Sequence, residues 1–317
     1  WGDEDCCLPK GAIQATLCDR NQNLCKYLKP NRVLIIEEVK GPESGDSRDA
    51  NVLHRHAVRL TKVTAAIDPL TQASIVEVVW DREDALPFDV KISSIDPDGK
   101  TLTDISIVRG NVVLVDSGCS LFIPENLQKN PGWHDERPLP RLKEWPLTQQ
   151  GLVQDRQNQL VVFDPERSAT AAMTWQLRDV RPAITLWERT YPSATETGGS
   201  RWGIQPDLLN SNRFTRDFVA ETEEDGRTYL RFGDGALGKQ PQANIPLYAS
   251  YRVGNGAQGN VGADTIVNLW IEAQNLPANI NLSSAKAAIG KVYNPLPARG
   301  GTEPEPIEQV KLYAPQA

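Results

Sequence analysis

The sequence predicts a mainly β protein: two barrel- or sandwich-like units joined by an irregular insertion rich in proline and tryptophan, with a short C-terminal helix. Three observations predict it. From Ala12 to Ile123, apolar runs of strand length follow one another with turn signals between them and no helical periodicity. A second such series runs from Ile184 to Trp270. Between the two, Pro131, Pro138, Pro140 and Pro146 prevent a long helix. The expected organisation is a β domain over 1–124, an extended insertion over 125–180, a second β domain over 181–275, and a connector with a helix over 276–317.

Taken in order, Val33-Leu34-Ile35-Ile36 is continuous and reads as a core strand. Leu53 to Val63 alternates, with His54, His56, Val58, Leu60 and Lys62 against Arg55, Ala57, Arg59 and Thr61. Ser74–Trp80, Val90–Ile95 and Val112–Val115 continue the series. Gly41-Pro42, Asp68-Pro69 and Asp96-Pro97-Asp98-Gly99 separate the runs. The insertion carries Trp133, Trp145 and Trp175, so it is expected to lie along a surface with its rings used chiefly in packing.

The second unit centres on Thr228–Val261. Glu224-Asp225-Gly226 reads as a hairpin centre, and Tyr229, Arg231 and Phe232 run into Gly233-Asp234-Gly235. Tyr248 to Val253 run into Gly254-Asn255-Gly256, and the whole reads as a β-meander. Gly233, Gly235 and Gly256 are expected at backbone angles that a Cβ disfavours. Asp234 is expected to accept backbone N–H bonds within its turn. The run Gly254-Asn255-Gly256-Ala257-Gln258-Gly259 matches G-x-G-x-x-G, but the β-branched, glycine-interrupted Asn260–Val267 that follows is no helix. It is therefore read as a turn and not a nucleotide site.

Further on, Ser283–Ala288 predicts one or two helical turns, and Gly300-Gly301 reads as a swivel. Thr302 suits an N-cap, and Glu303, Glu305 and Glu308 suit the positive end of a helix dipole. Ile307, Val310 and Ala314 fall on one face of the helix. A helix so short needs a partner, and the expectation is a neighbouring subunit and not the chain's own core.

Composition excludes several classes. A net charge of −7 over 317 residues argues against a protein that coats nucleic acid. No run of about eighteen apolar residues marks a membrane helix. The chain opens at Trp1 and stops just past the helix, so it reads as the middle of a longer polypeptide. Cys6, Cys7, Cys18, Cys25 and Cys119 are odd in number, which suits a reducing cytosol better than a disulfide framework. A zinc site would need Cys6, Cys7, Cys18 and Cys25, with His54 or His56. No C-x-x-C knuckle exists, so the cysteines are expected to be buried small apolar groups.

Catalytic chemistry finds no constellation. His54 and His56 share a strand face but lack a nucleophile, Glu37 and Glu38 point to opposite faces, and Glu83 and Asp84 are expected to cap or to pair with arginines. Ser117-Gly118-Cys119-Ser120 is not a nucleophile elbow, because Leu121-Phe122-Ile123-Pro124 is extended. Asp234 alone cannot hold calcium. No catalytic residue, metal or cofactor is expected.

The order of the turn motifs is more specific than any one of them. Arg231-Phe232-Gly233-Asp234-Gly235, Tyr251-Arg252-Val253-Gly254-Asn255-Gly256 and Gly259-Asn260-Val261-Gly262-Ala263 together resemble the baseplate J-like family. His54–Thr61, Glu83–Phe88, Arg109–Leu114, Pro206–Leu209 and Asn294–Ala298 with Gly300–Glu305 agree. The resemblance covers nearly the whole chain and is weakest over about 125–180. It implies a structural wedge subunit of a contractile, phage-tail-like injection system, most similar to the branch called putative baseplate assembly protein. The implied partners are copies of itself, a second wedge protein, the hub and spike, and sheath-proximal proteins. Such particles assemble in the bacterial cytoplasm and act outside the cell or anchored to it. A carbohydrate-binding or carbohydrate-active β protein is the alternative, though no carboxylate pair can be placed in one cleft.

Overall fold

The computed structural model describes residues 4–121, 123–155, 157, 159–189, 199–254, 256–273, 276–303, 308, 311 and 312. The chain divides into two units. Unit 1 comprises Trp1–Val115, Leu152–Gln176 and Gly262–Pro297; unit 2 comprises Asp116–Gly151, Leu177–Val261 and Ala298–Ala317. The protein is mainly β, as expected.

In unit 1 a five-stranded antiparallel sheet runs in the order Gln14–Cys18, Ser74–Trp80, Arg55–Ile67, Val33–Glu38, Ser106–Arg109. Val33–Glu38 is continuous because both of its faces are covered, the composition of a strand with no solvent side. Leu34 and Ile36 pack with Val58, Leu60, Val76, Val78 and Trp80, while Ile35 packs behind them with Ala57 and Ala169. Ala57, Val58, Arg59 and Leu60 are consequently all buried. The alternation returns only as an exposed pattern past a register shift between Leu60 and Lys62.

Two sequence expectations for this unit fail. Val112–Val115 is not a strand; the edge is Ser106–Arg109, which pairs with Val33–Glu38 where Arg109 meets the buried Glu37 carboxylate. Val113 and Val115 are exposed. Residues 262–275 belong to unit 1 and not to the second β domain. Asp264 bonds Arg55 at 2.6 Å, and the Tyr293 hydroxyl donates to Glu37 at 3.2 Å. The predicted helical turns appear as Leu282–Ala287, capped by Asn281, whose Oδ1 accepts from the Ser284 amide at 2.7 Å.

In unit 2 the sheet runs Cys119–Ser120, Leu247–Val253, Ile184–Glu188, Arg201–Ile204, Asp217–Thr222, Thr228–Phe232, with Glu125–Asn126 also on Leu247–Val253. The hairpin about Gly226 forms as predicted, with Thr222 opposite Thr228. The meander does not. Leu247–Val253 lies at the far side of the sheet, against Ile184–Glu188, and Arg201–Ile204 runs parallel to Asp217–Thr222. Arg141 bridges to Tyr229 and Leu147 to Val253, so the proline-rich stretch links distant strands of a sheet curled as a half-barrel.

That stretch is also core. Leu127, Leu142 and Leu147 are buried with Leu186, Trp202, Phe218, Leu230, Phe232 and Tyr251. The expectation of a surface arm over 125–180 is therefore corrected for its first part: proline keeps these residues extended and removes donors, which suits strand edges and bridges, and Leu127, Leu142 and Leu147 point inward while Leu139 stays exposed. Trp145 and Trp175 are exposed, while Trp133 packs against the core.

Candidate functional site

The glycine-rich turn after Leu247–Val253 and the Gly300-Gly301 pair meet at one junction of unit 2, where three stretches cross: 116–118, 254–261 and 298–302. Val261 and Ala298 exchange backbone bonds, the Val261 amide donating at 3.2 Å and the Ala298 amide at 3.0 Å. One turn further on, the Asn260 side chain replaces the backbone. Its Nδ2 donates to the Gly301 carbonyl at 2.7 Å, and its Oδ1 accepts from the Gly301 amide at 2.9 Å. Arg252 gathers the third stretch, with its guanidinium on both Asp116 oxygens at 2.6 and 2.9 Å and on the Ser117 and Gly118 carbonyls.

Glycine is required here for closeness. A Cβ on Gly301 would lie 1.7 Å from the Gly256 carbonyl oxygen, and one on Gly256 would lie 2.5 Å from that of Thr302. A Cβ on Gly254 would meet Gly118 Cα at 2.8 Å, and one on Gly259 would meet Ser117 Cβ at 2.5 Å. Two expectations change. Gly256 has φ −57°, so it needs no positive φ. Gly300-Gly301 is no swivel, because Gly301 is bonded on both sides and wedged against Gly256.

The turn reading of G-x-G-x-x-G is supported by where its amides go. The Gly254 amide donates to Pro146 and the Gly259 amide to Gly256, and the motif closes in a single 3-10 turn, Ala257–Gly259, where a phosphate site would need a helix to start.

The second predicted turn stands apart from this junction. Asp234 Oδ1 accepts from the Ala236 and Leu237 amides, each at 2.9 Å, and these amides hold its carboxyl below the usual range. Gly235 has φ +87°, as expected, with nothing near its missing Cβ. Gly233 has no positive φ; a Cβ there would lie 2.2 Å from the Gly238 backbone. Ile307, Val310 and Ala314 lie outside the described residues, while Glu308, Lys311 and Leu312 are helical.

The titratable groups singled out in unit 1 hold the fold. His54 Nδ1 lies 2.7 Å from Glu38 and its ring stacks on Phe88; His56 Nε2 lies 3.0 Å from the Asp84 carbonyl. Glu37 and Glu38 keep separate partners, Arg109 for one and His54 for the other. Asp84 is fully buried and accepts from the amides of Arg59, Ala169 and Thr170 at 2.8–2.9 Å. It caps Ala169–Ala172 together with Ser168, whose Oγ accepts from the Ala171 amide. Ser168 followed by Ala169-Thr170-Ala171-Ala172 was the legible signal for that helix. Its distant cap was not.

In unit 2, Glu125, Asn130 and Tyr251 form a buried set that no local pattern announces. The Tyr251 hydroxyl donates to Glu125 at 2.5 Å and accepts from the Glu144 amide, while Asn130 donates to the other Glu125 oxygen. Burial, and then the neighbouring carboxylate, push the Tyr251 phenol well above its ordinary pKa.

The five cysteines are free, and Cys7, Cys18 and Cys119 are exposed, so the expectation of buried small apolar groups fails for these three. Among the described residues no group of three or more His, Cys, Asp or Glu side chains is placed to hold a metal ion. Also among the described residues, no helix is long and apolar enough to cross a membrane. No protein-family model matches the chain, and no curated protein matches it.

Proposed function

We propose that this chain is a structural wedge subunit of the baseplate of a contractile injection system. Copies of it, with a second wedge protein, would ring the hub and spike, join them to the sheath, and pass on the contraction trigger. The observation that carries this reading is the glycine junction. Two of the motif groups that resemble the baseplate J-like family, at 251–263 and at 294–305, meet in one clamp. The clamp fixes the backbone at Gly301 and Thr302 to the β unit, so force on the residues that follow is delivered to the sheet and not absorbed by a hinge. A site of this kind transmits load.

The test is reconstitution. Co-expressed with the second wedge protein and the hub of the same particle, the chain is expected to co-elute with them and to form rings visible by electron microscopy. A chain that elutes alone and instead binds on a glycan array would overturn the reading in favour of carbohydrate recognition.

A further inference from the structure

We propose that an open cationic groove of unit 1 receives the acidic C-terminal segment of a second copy of this chain. The groove is open to solvent, with a volume of about 410 Å³, which suits a segment of chain laid along it better than an enclosed small molecule. Val267, Leu269 and Ile271, at every second position, all line the groove, and Ile289, just past the Leu282–Ala287 helix, lines it with them. Val267 and Leu269 are 57% and 56% exposed, and the adjacent Trp270 is 86% exposed. Apolar side chains aligned this way in a concave surface mark a binding groove more than isolated ones do.

Charge selects the occupant. Among the described residues, the ionisable groups lining the groove are Lys286 and Lys291, on a chain whose net charge is −7. The matching segment is in the same sequence: Thr302-Glu303-Pro304-Glu305-Pro306-Ile307-Glu308-Gln309-Val310, with acids set around Ile307 and Val310. If the segment docks as a helix, Ile307, Val310 and Ala314 would share one face along Val267 and Leu269, while Glu305 and Glu308 would meet the lysines. A groove on one copy and a segment on the next form a head-to-tail contact that can repeat around a ring. The proposal deepens the wedge reading by naming one of its copy-to-copy contacts, and it is tested on the purified chain alone.

The experiment is a reciprocal charge swap on the full chain, read by sedimentation. The unaltered chain is expected to self-associate with rising concentration, and less so at high salt. Lys286→Glu with Lys291→Glu, and separately Glu305→Lys with Glu308→Lys, should each weaken association by at least about tenfold, because like charges then oppose. Mixing the two variants should restore it, since each then offers the other a complementary surface. Val267→Asp should also weaken it, and circular dichroism should show every variant folded. A chain that stays monomeric at all concentrations overturns the proposal, as does association that both charge variants retain or a mixture that restores nothing. None of these results touches co-assembly with the second wedge protein and hub, so the wedge reading stands or falls separately.

Discussion

Unit 1 adds Leu86 and the small Ala169 to a core carried by long paired strands, whereas unit 2 takes three large leucines from outside its strands. In unit 1, Leu34, Ile36, Val58, Leu60, Val76, Val78 and Trp80 all sit on three neighbouring strands. In unit 2, Leu142 and Leu147 come from a proline-rich stretch and Leu127 from a single 3-10 turn. Buried carboxylates in both units meet both kinds of partner. Glu37 is matched by Arg109 and Glu188 by Arg216 and Lys239, while Asp84 accepts from three backbone amides and Glu125 from the neutral donors Tyr251 and Asn130. A buried acid in either unit is met by whichever polar groups the fold delivers.

The comparison breaks most readily at Leu142. If the proline-rich stretch is true core, Leu142→Ala should destabilise the protein by about 2–5 kcal/mol, as much as Leu60→Ala in unit 1. The exposed Leu114→Ala should change little, within about 0.5 kcal/mol. Urea denaturation of the three variants decides it, and equal, small effects at Leu142 and Leu114 would return the stretch to the surface.

The glycine junction sharpens the contrast at a smaller scale. Gly301→Ala must push a methyl group into the Gly256 carbonyl and should lower stability by about 1–3 kcal/mol, as overpacking does. Gly235→Ala has open space and only an unfavourable φ, so about 1 kcal/mol is expected. Thermal melts that rank the pair the other way would show that φ, not closeness, explains the motif's glycines.

Tyr251 gives the most selective effect. Its folded-state pKa lies above the unfolded value of about 10. Its contribution is therefore complete below about pH 10 and is lost as pH rises through the folded value. Tyr251→Phe should cost about 1–3 kcal/mol at neutral pH, by orphaning the Glu144 amide and a Glu125 oxygen. It should also flatten the alkaline limb of the stability profile. A steep limb that persists in the variant would assign it elsewhere.

Several features were legible because their cause is local. Ser74–Trp80 was read to the residue from its β-branched run, and the hairpin at Gly226 from its turn residues. Asp234 caps amides two and three residues ahead, within reach of sequence reasoning. Asp84 was expected to cap or to pair, yet it caps a helix 85 residues away, and nothing near Asp84 names Ala169. The junction was half legible. Its glycines were singled out, but for dihedral freedom and hinge motion, because one sequence does not say which backbone passes within 3 Å of which.

The sequence by itself determined the class of this protein: period-two apolar runs, turn residues between them, and prolines that forbid long helices. Those are properties of neighbouring residues, fixed by backbone sterics and side-chain alternation before any tertiary contact forms. Only the tertiary structure decided which strands pair, that Leu247–Val253 crosses to Ile184–Glu188, and that Leu142 is core. It alone decided that Gly256 and Gly301 touch. These depend on the burial and hydrogen-bond balance of segments far apart in the chain, where a strand's preference for one neighbour over another is set by the whole sheet and not by its own residues.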